Sequence, residues 1–275
     1  MAAPTFLSLL KADATREQIE DWCRSKTQSY PTEGGGLACR VLGKYIMFVA
    51  AGDTALTPHL ALNGIWEPWI TMAIARHLKP GMRCMDVGAC YGYYALLMAD
   101  IVGATGTVEA WEPIWGKTLL ANVDLNGFDI TVHRAFMGTG AMALGFRIGT
   151  GPFNAGNIKA YPVTGTGGLP GYSRVTARLP AAASCDFIKI DVEGAEADVW
   201  QALAGVRAQS PDLTVCMEFT PSEHVAPVAF LQQLVKDGFE VGTVGHDGVP
   251  RKCSLDEALV PDTGGFRMLW LTRET

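Results

Sequence analysis

The stretch Cys84-Met85-Asp86-Val87-Gly88-Ala89-Cys90-Tyr91-Gly92-Tyr93-Tyr94 constrains the fold more than any other part of the chain. It reads as the end of a buried strand, a tight glycine turn and the start of a helix that continues through Ala95-Leu96-Leu97-Met98-Ala99. Gly88 permits a backbone conformation that a side chain disfavours, and Gly92 lets the helix start approach a ligand. Strand, glycine loop and helix in this order place free backbone N–H groups and a positive helix end beside whatever binds, as in nucleotide-type sites.

From residue 82 onward strands and helices alternate. Strands are expected at Arg83–Val87, Thr107–Trp111, Ile130–Ala135, Arg174–Leu179, Cys185–Val192, Leu213–Phe219, Phe239–Val244 and Phe266–Leu271. Helices are expected at Tyr91–Ile101, Trp115–Asn126, Ala195–Leu203 and Val225–Asp237, with a short one from Ser254. Near-continuous apolar strands imply a parallel sheet covered on both faces, an α/β doubly wound Rossmann-like fold. The last two strands have only a short helix between them, so the final strand of this seven-stranded sheet is expected to insert antiparallel. A glycine-rich insert at 138–172 breaks the rhythm, with Met142–Ile148 as one strand inside it.

Before the first of these strands, residues 1–65 read as an N-terminal cap of helix plus hairpin on the main domain, 66–275. Asp13 is expected to cap a helix through Thr15–Cys23. Two β-prone runs, Leu37–Leu42 and Tyr45–Ala51, flank Gly43-Lys44 as a hairpin. A helix is expected over Trp66–Leu78, with Pro68 in its first turn.

The chain has 275 residues, is 48% apolar and carries a net charge of −6. Its length and apolar content suit one large α/β domain. The acidic balance without a basic stripe argues against nucleic acid as a partner. No apolar run reaches the roughly 18 residues that span a bilayer, and no basic segment followed by a long apolar stretch marks a signal peptide. The seven cysteines are scattered without a C-x-x-C pair, so a reduced, cytoplasmic protein without a cysteine–zinc site is expected. Homo-oligomerisation is compatible with this composition.

The nucleotide is selected at the strand ends, where doubly wound sheets bind ligands. That edge carries Asp86-Val87-Gly88, Glu112-Pro113, Ala135-Phe136, Asp191-Val192-Glu193 and Glu218-Phe219. A dinucleotide loop reads G-x-G-x-x-G, but here the loop reads Gly88-Ala89-Cys90-Tyr91-Gly92 and lacks the middle glycine. Asp86 would repel a pyrophosphate and attract an amino group, and Glu112 can accept both hydroxyls of a ribose. S-adenosylmethionine has an amino group, a sulfonium and a ribose but no phosphate, and it fits this pattern.

The same stretches carry a family resemblance. Asp86–Tyr94, Glu109-Ala110-Trp111-Glu112-Pro113 and Asp186-Phe187-Ile188-Lys189-Ile190-Asp191-Val192-Glu193-Gly194-Ala195-Glu196 resemble the FkbM-type S-adenosylmethionine-dependent methyltransferases, and Trp66-Glu67-Pro68 resembles a short motif of that family before the first strand. The resemblance covers residues 60–272 or so. Cys90-Tyr91 departs from it, standing where the family usually has Asn-Ile. It implies a class I methyltransferase fold and O-methylation of a sugar or other natural-product hydroxyl. Under this reading the cofactor contacts are Glu67, Asp86, Gly88, Ala89, Tyr91 and Gly92 from the first half of the site. Glu112, Pro113, Asn122, Ala135, Phe136 and Asp191 complete the set.

For the chemistry, Asp191 ends the strand beside the first one and is the leading candidate for acceptor positioning or base. Glu193 and Glu218 converge on it, and mutual repulsion can raise one pKa toward neutrality. Lys189 has the parity of Asp191 and can pair with it. His224 is a further base candidate. The alternative is that Lys189, Asp191 and Glu193 form an ion-pair network that only holds the turn. Asp191 and Glu218 resemble in outline the acidic ligands of divalent-metal catechol-type methyltransferases. The expected Asp-Asn pair is absent, so the reading is metal-free. Trp66, Trp69, Tyr91, Tyr94 and Trp115 form either an aromatic wall or part of the core. N-methylation of an amine or peptide, a nicotinamide-dependent oxidoreductase and a non-catalytic cofactor-binding partner remain as other readings.

Overall fold

A computed structural model describes residues 4–139, 142–145, 159–162, 172–175, 177–262 and 264–273. Most of the 138–172 insert, and the end of the strand expected at Met142–Ile148, therefore lie outside the described residues.

The cap comprises α1 (Phe6–Lys11), α2 (Arg16–Lys26), the strands β1 (Ser29–Pro31), β2 (Gly36–Val41) and β3 (Tyr45–Ala50), and α3 (Leu56–Asn63). Thr15, not Asp13, caps α2: its side chain accepts from the Gln18 N–H while Gln18 reaches back, a reciprocal capping box. Asp13 instead turns the chain in the left-handed region, at φ 53°. The hairpin at β2–β3 forms as expected, and β1 adds a third antiparallel strand. Helix α3 was not foreseen; its first residue has no side-chain cap.

The main unit begins with α4 (Pro68–His77), β4 (Arg83–Val87), α5 (Tyr93–Val102), β5 (Thr107–Trp111), α6 (Gly116–Asn126) and β6 (Thr131–His133). Short strands β7 (Phe136–Met137), β8 (Met142–Gly145), β9 (Lys159–Pro162), β10 (Tyr172–Val175) and β11 (Ala177–Arg178) follow. Here β8, β9 and β10 make a small antiparallel sheet and β11 pairs with β7. The expected strand Arg174–Leu179 is thus divided between two small sheets. The chain closes with β12 (Phe187–Ile190), α7 (Glu196–Ala202), α8 (Ala204–Ala208), β13 (Thr214–Phe219), α9 (Pro227–Lys236), β14 (Phe239–Val244), β15 (Pro250–Lys252), α10 (Leu255–Ala258) and β16 (Arg267–Arg273).

Among the described residues the main sheet has eight strands in the order β15-β14-β16-β13-β12-β4-β5-β6. Strands β13, β12, β4, β5 and β6 are mutually parallel, and β16 runs antiparallel between β13 and β14. This is the methyltransferase version of the doubly wound sheet, with one correction to seven strands. The extra strand, β15, is a three-residue edge strand that pairs antiparallel with β14. Alternate strand residues enter two buried clusters. Cys84 and Phe187 join the cluster under α4 and α5, while Met85 and Ile188 join the one holding Trp200 and Leu231. Cap residues Phe6, Leu10, Ile19 and Cys23 belong to the first of these clusters, together with Leu96 and Leu97.

Candidate active site

The strand order reverses between β4 and β12, and there the glycine turn meets the end of β12. Gly88 has φ +85°, and a Cβ on it would lie 1.7 Å from the Asp191 carbonyl oxygen. Only glycine allows that approach. A cleft of about 800 Å3 opens above this edge, roofed by the cap. Gly88, Glu112, Pro113, Ala135, Phe136, Asp191, Glu193, Glu218 and Glu67 all line it. Three of the non-glycine residues with left-handed backbone, Glu67 (φ 38°), Cys90 (φ 49°) and Glu193 (φ 56°), line it too. Such strain persists where surrounding structure enforces it, often at functional sites.

The glycine loop differs from expectation in one respect. The N–H groups of Gly88, Ala89, Cys90 and Gly92 are engaged within the chain. Gly88 and Ala89 both donate to the Trp111 carbonyl, at 2.9 and 3.1 Å. The Cys90 N–H donates to Glu112 Oε2 at 2.9 Å, and Ile114 and Trp115 donate to Glu112 Oε1 at 2.6 and 2.9 Å. The loop therefore cradles a carboxylate of its own protein. Burial pushes Glu112 up to about 7 against the pull of these three amides.

Beneath the loop sits a single buried cation among acids. Lys189 and Asp86 are register partners on β12 and β4. Lys189 Nζ donates to Asp191 Oδ2 at 2.7 Å, as strand parity implied, and lies 4.7 Å from the Tyr94 ring centre. Burial works against the Lys189 charge, but Asp191, Asp86 and Glu67 outweigh it and raise its pKa. Asp86 is buried under the loop, outside the cleft wall, and burial pushes it up to about 6 despite Lys189. Glu67 accepts from the Tyr94 hydroxyl at 2.8 Å, and burial raises it to about 7.

Three carboxylates converge at the end of β12 and β13. Asp191, Glu193 and Glu218 offer oxygens that all lie within 4.8 Å of one another, a spacing that can hold a cation. Glu218 is driven well above the usual carboxylate range by burial, then by the charges of Asp191, Glu67 and Glu193. The raised group is thus Glu218, by burial first and repulsion second, whereas Asp191 accepts from Lys189 Nζ.

Several candidates stand off the cleft wall. Ala89, Tyr91 and Gly92 belong to the loop but do not line the cleft; Tyr91 packs on Trp115 with ring centres 5.1 Å apart. The Asn122 amide is committed elsewhere: it donates to the Phe48 carbonyl and the Tyr91 carbonyl, and its oxygen accepts from the Phe48 N–H. Asn126, one turn later, makes the same double bond to Ile46. The two amides act as a pseudo-strand along the free edge of β3, which fixes the cap hairpin to α6. His224 is also off the wall. Its Nε2 lies 3.0 Å from Glu196 Oε2, and both side chains are almost fully buried. Of the five aromatics, Trp66, Trp69 and Trp115 line the cleft, while Tyr91 and Tyr94 are core.

The sequence reading did not single out Cys90, Trp111, Thr220 and Glu223, which also line the cleft, or the cap residues Arg16 and His59. Thr220 and Glu223 follow Glu218 directly and were reachable from the strand-end rule. Arg16 and His59 carried no signal, because α2 and α3 reach the cleft only through tertiary packing.

No family model matches the chain. Among solved structures, it is similar to a ribosomal protein L11 methylase from Lactobacillus delbrueckii subsp. bulgaricus, with 12% identity over 76% of this chain and 78% of that one, at a TM-score of 0.42. It is also similar to an S-adenosylmethionine-dependent O-methyltransferase from Thermotoga maritima, with 13% identity over 91% and 86% of the two chains and a TM-score of 0.43. A TehB-like S-adenosylmethionine-dependent methyltransferase from Corynebacterium glutamicum shows 13% identity over 75% and 88%, with a TM-score of 0.42. At these values the functional reading rests on the geometry of the cleft.

Proposed function

We propose that this chain is an S-adenosylmethionine-dependent methyltransferase of the FkbM type that acts on a hydroxyl of a sugar or other small natural product. The observation that carries the reading is the state of the glycine loop. The amides of Gly88, Ala89 and Cys90 bind Trp111 and Glu112 of the same chain, so these three are not free to cradle a pyrophosphate. The wall offers carboxylates in place of that cradle, which suits a ligand with hydroxyls, an amine and a sulfonium.

The residues present fit that cofactor. Glu112 retains acceptor capacity for ribose hydroxyls, and Pro113, Ala135 and Phe136 offer apolar surface for a purine. A cleft of about 800 Å3 has room for the cofactor and a small acceptor. When bound, S-adenosylmethionine supplies an electrophilic methyl. The chain's own task is to align the acceptor oxygen and take its proton. Glu218, whose pKa burial and the neighbouring acids raise, is the candidate to accept that proton, while Asp191 is tied to Lys189 Nζ. Asp191 then orients the acceptor.

The test is calorimetry with S-adenosylhomocysteine, followed by a mass-spectrometric screen of hydroxyl and amine acceptors for methyl gain. Binding of NAD instead of S-adenosylhomocysteine would overturn the reading. With an acceptor in hand, Glu218→Gln should lower kcat by about 10²–10⁴-fold. Methyl gain on amines alone would replace O-methylation by N-methylation.

A further inference from the structure

Three carboxylates held within 4.8 Å repel one another, so the loops that carry them need a tie. Asp191 and Glu193 belong to the turn after β12, whereas Glu218 is the penultimate residue of β13. The turn contains two consecutive left-handed residues, Glu193 at φ 56° and Gly194 at φ 93°. Lys189 anchors only its first member, Asp191.

A buried pair spans the two loops. Glu196, the first residue of α7, accepts from the Gly194 N–H through Oε1 at 3.1 Å. Its Oε2 lies 3.0 Å from Nε2 of His224, which follows β13, a contact of ion-pair length in which neither atom meets hydrogen-bond geometry. The two side chains are 3% and 4% exposed, so water does not screen them. The imidazole is wedged between rings: it stacks on Phe230 at 5.1 Å and 11°, and it abuts Phe219 at 4.8 Å. The ring cannot swing away without displacing core.

We infer that His224 is a positioning residue: through Glu196 it locks the 191–194 turn against the loop after β13, and so sets where Asp191 and Glu193 stand relative to Glu218. His224 does not line the cleft, so it acts on the reaction only through this tie. The inference rests on the methyl-transfer reading, and its test is built to fail separately from it.

The experiment compares His224→Ala, His224→Gln and Glu196→Ala with the parent protein. Amide hydrogen exchange is read on peptides covering 191–196 and 218–224, and kcat and KM are read for S-adenosylmethionine and for the acceptor found in the screen. His224→Ala and Glu196→Ala should speed exchange in both peptides and lower kcat by roughly 10–100-fold, because small misplacements of reacting groups are costly. KM for S-adenosylmethionine should stay within about threefold. His224→Gln keeps a donor toward Glu196 and should restore most of both readouts, which also covers the case in which the alanine variants fold poorly. Unchanged exchange and kcat in a folded His224→Ala would overturn the inference. So would His224→Gln being as inactive as His224→Ala while its exchange is normal, since that outcome assigns proton transfer to the imidazole. Failure of the parent protein to bind S-adenosylhomocysteine would instead remove the methyl-transfer reading, leaving the exchange result to report the tie alone.

Discussion

Glu112 holds the glycine loop from the cleft wall, and in the proposed function it also meets the ribose. Its carboxylate satisfies the N–H groups of Cys90, Ile114 and Trp115, which would otherwise be orphaned at the start of a helix and a turn. Glu112→Gln keeps the shape but turns an amino group toward one of those donors. It should cost about 1–3 kcal/mol of stability by urea denaturation and weaken S-adenosylhomocysteine about tenfold or more by calorimetry. The importance of Glu112 was legible in the sequence because an acid ending a parallel strand has one place to point. The three amides that hold it were not, since nothing in Glu112-Pro113 reveals that the glycine loop folds back onto it. Asn122 marks the opposite limit. An amide that completes a backbone edge looks the same in sequence as an amide that binds a ligand. His224 is a third case: its partner, Glu196, lies 28 residues earlier, and only the sheet order brings the two together.

Among elements, the parallel core was the readable part. β4 and β5 occupy the residues their apolar runs indicated, because strands buried on both faces are largely apolar, and so does β14, which pairs antiparallel with β15 and β16. The elements that were missed are short or fastened from outside. β1 is fully exposed, β15 has three residues, and α3 has an alanine at its N-cap, its first turn being held instead by Asp53, which accepts from the Thr57 N–H. The cap hairpin itself was expected, but its attachment was not, because it depends on Asn122 and Asn126 from α6. Asn126→Ala should cost roughly 1–2 kcal/mol in the urea midpoint and leave S-adenosylhomocysteine affinity unchanged. Asn122→Ala should cost more, because Asn122 also holds the Tyr91 carbonyl behind the glycine loop. Equal costs for the two variants would show that the contact with Tyr91 adds nothing.

For the whole molecule, the acid-rich cleft makes stability depend on pH. Burial raises Glu67 and Glu112 from 4.5 to about 7 and Asp86 from 3.8 to about 6. An acid whose pKa rises on folding keeps its proton longer in the folded chain than in the unfolded one. Its contribution is full below the unfolded pKa and is lost as pH climbs through the folded value. Tm should therefore fall by several degrees between about pH 4 and pH 7, and Glu67→Gln should flatten that fall. A Tm that rises across this window would contradict the burial of these groups. The convergence of Asp191, Glu193 and Glu218 makes metal removal informative. In the metal-free reading, treatment with a chelator leaves turnover unchanged. Loss of turnover that Mg2+ restores would assign the three carboxylates to a cation. Among the described residues no helix is long and apolar enough to cross a membrane.

The cap and the sheet share one buried cluster, in which Phe6, Ile19 and Cys23 join the same core as Leu96 and Leu97. Arg16 and His59 of that cap stand on the cleft wall opposite the acids at the strand ends. The same N-terminal segment thus fills the core with one set of side chains and faces the cleft with another. Removing the cap as a unit would open the core beneath it, whereas its side chains that face the cleft can be exchanged without touching that core.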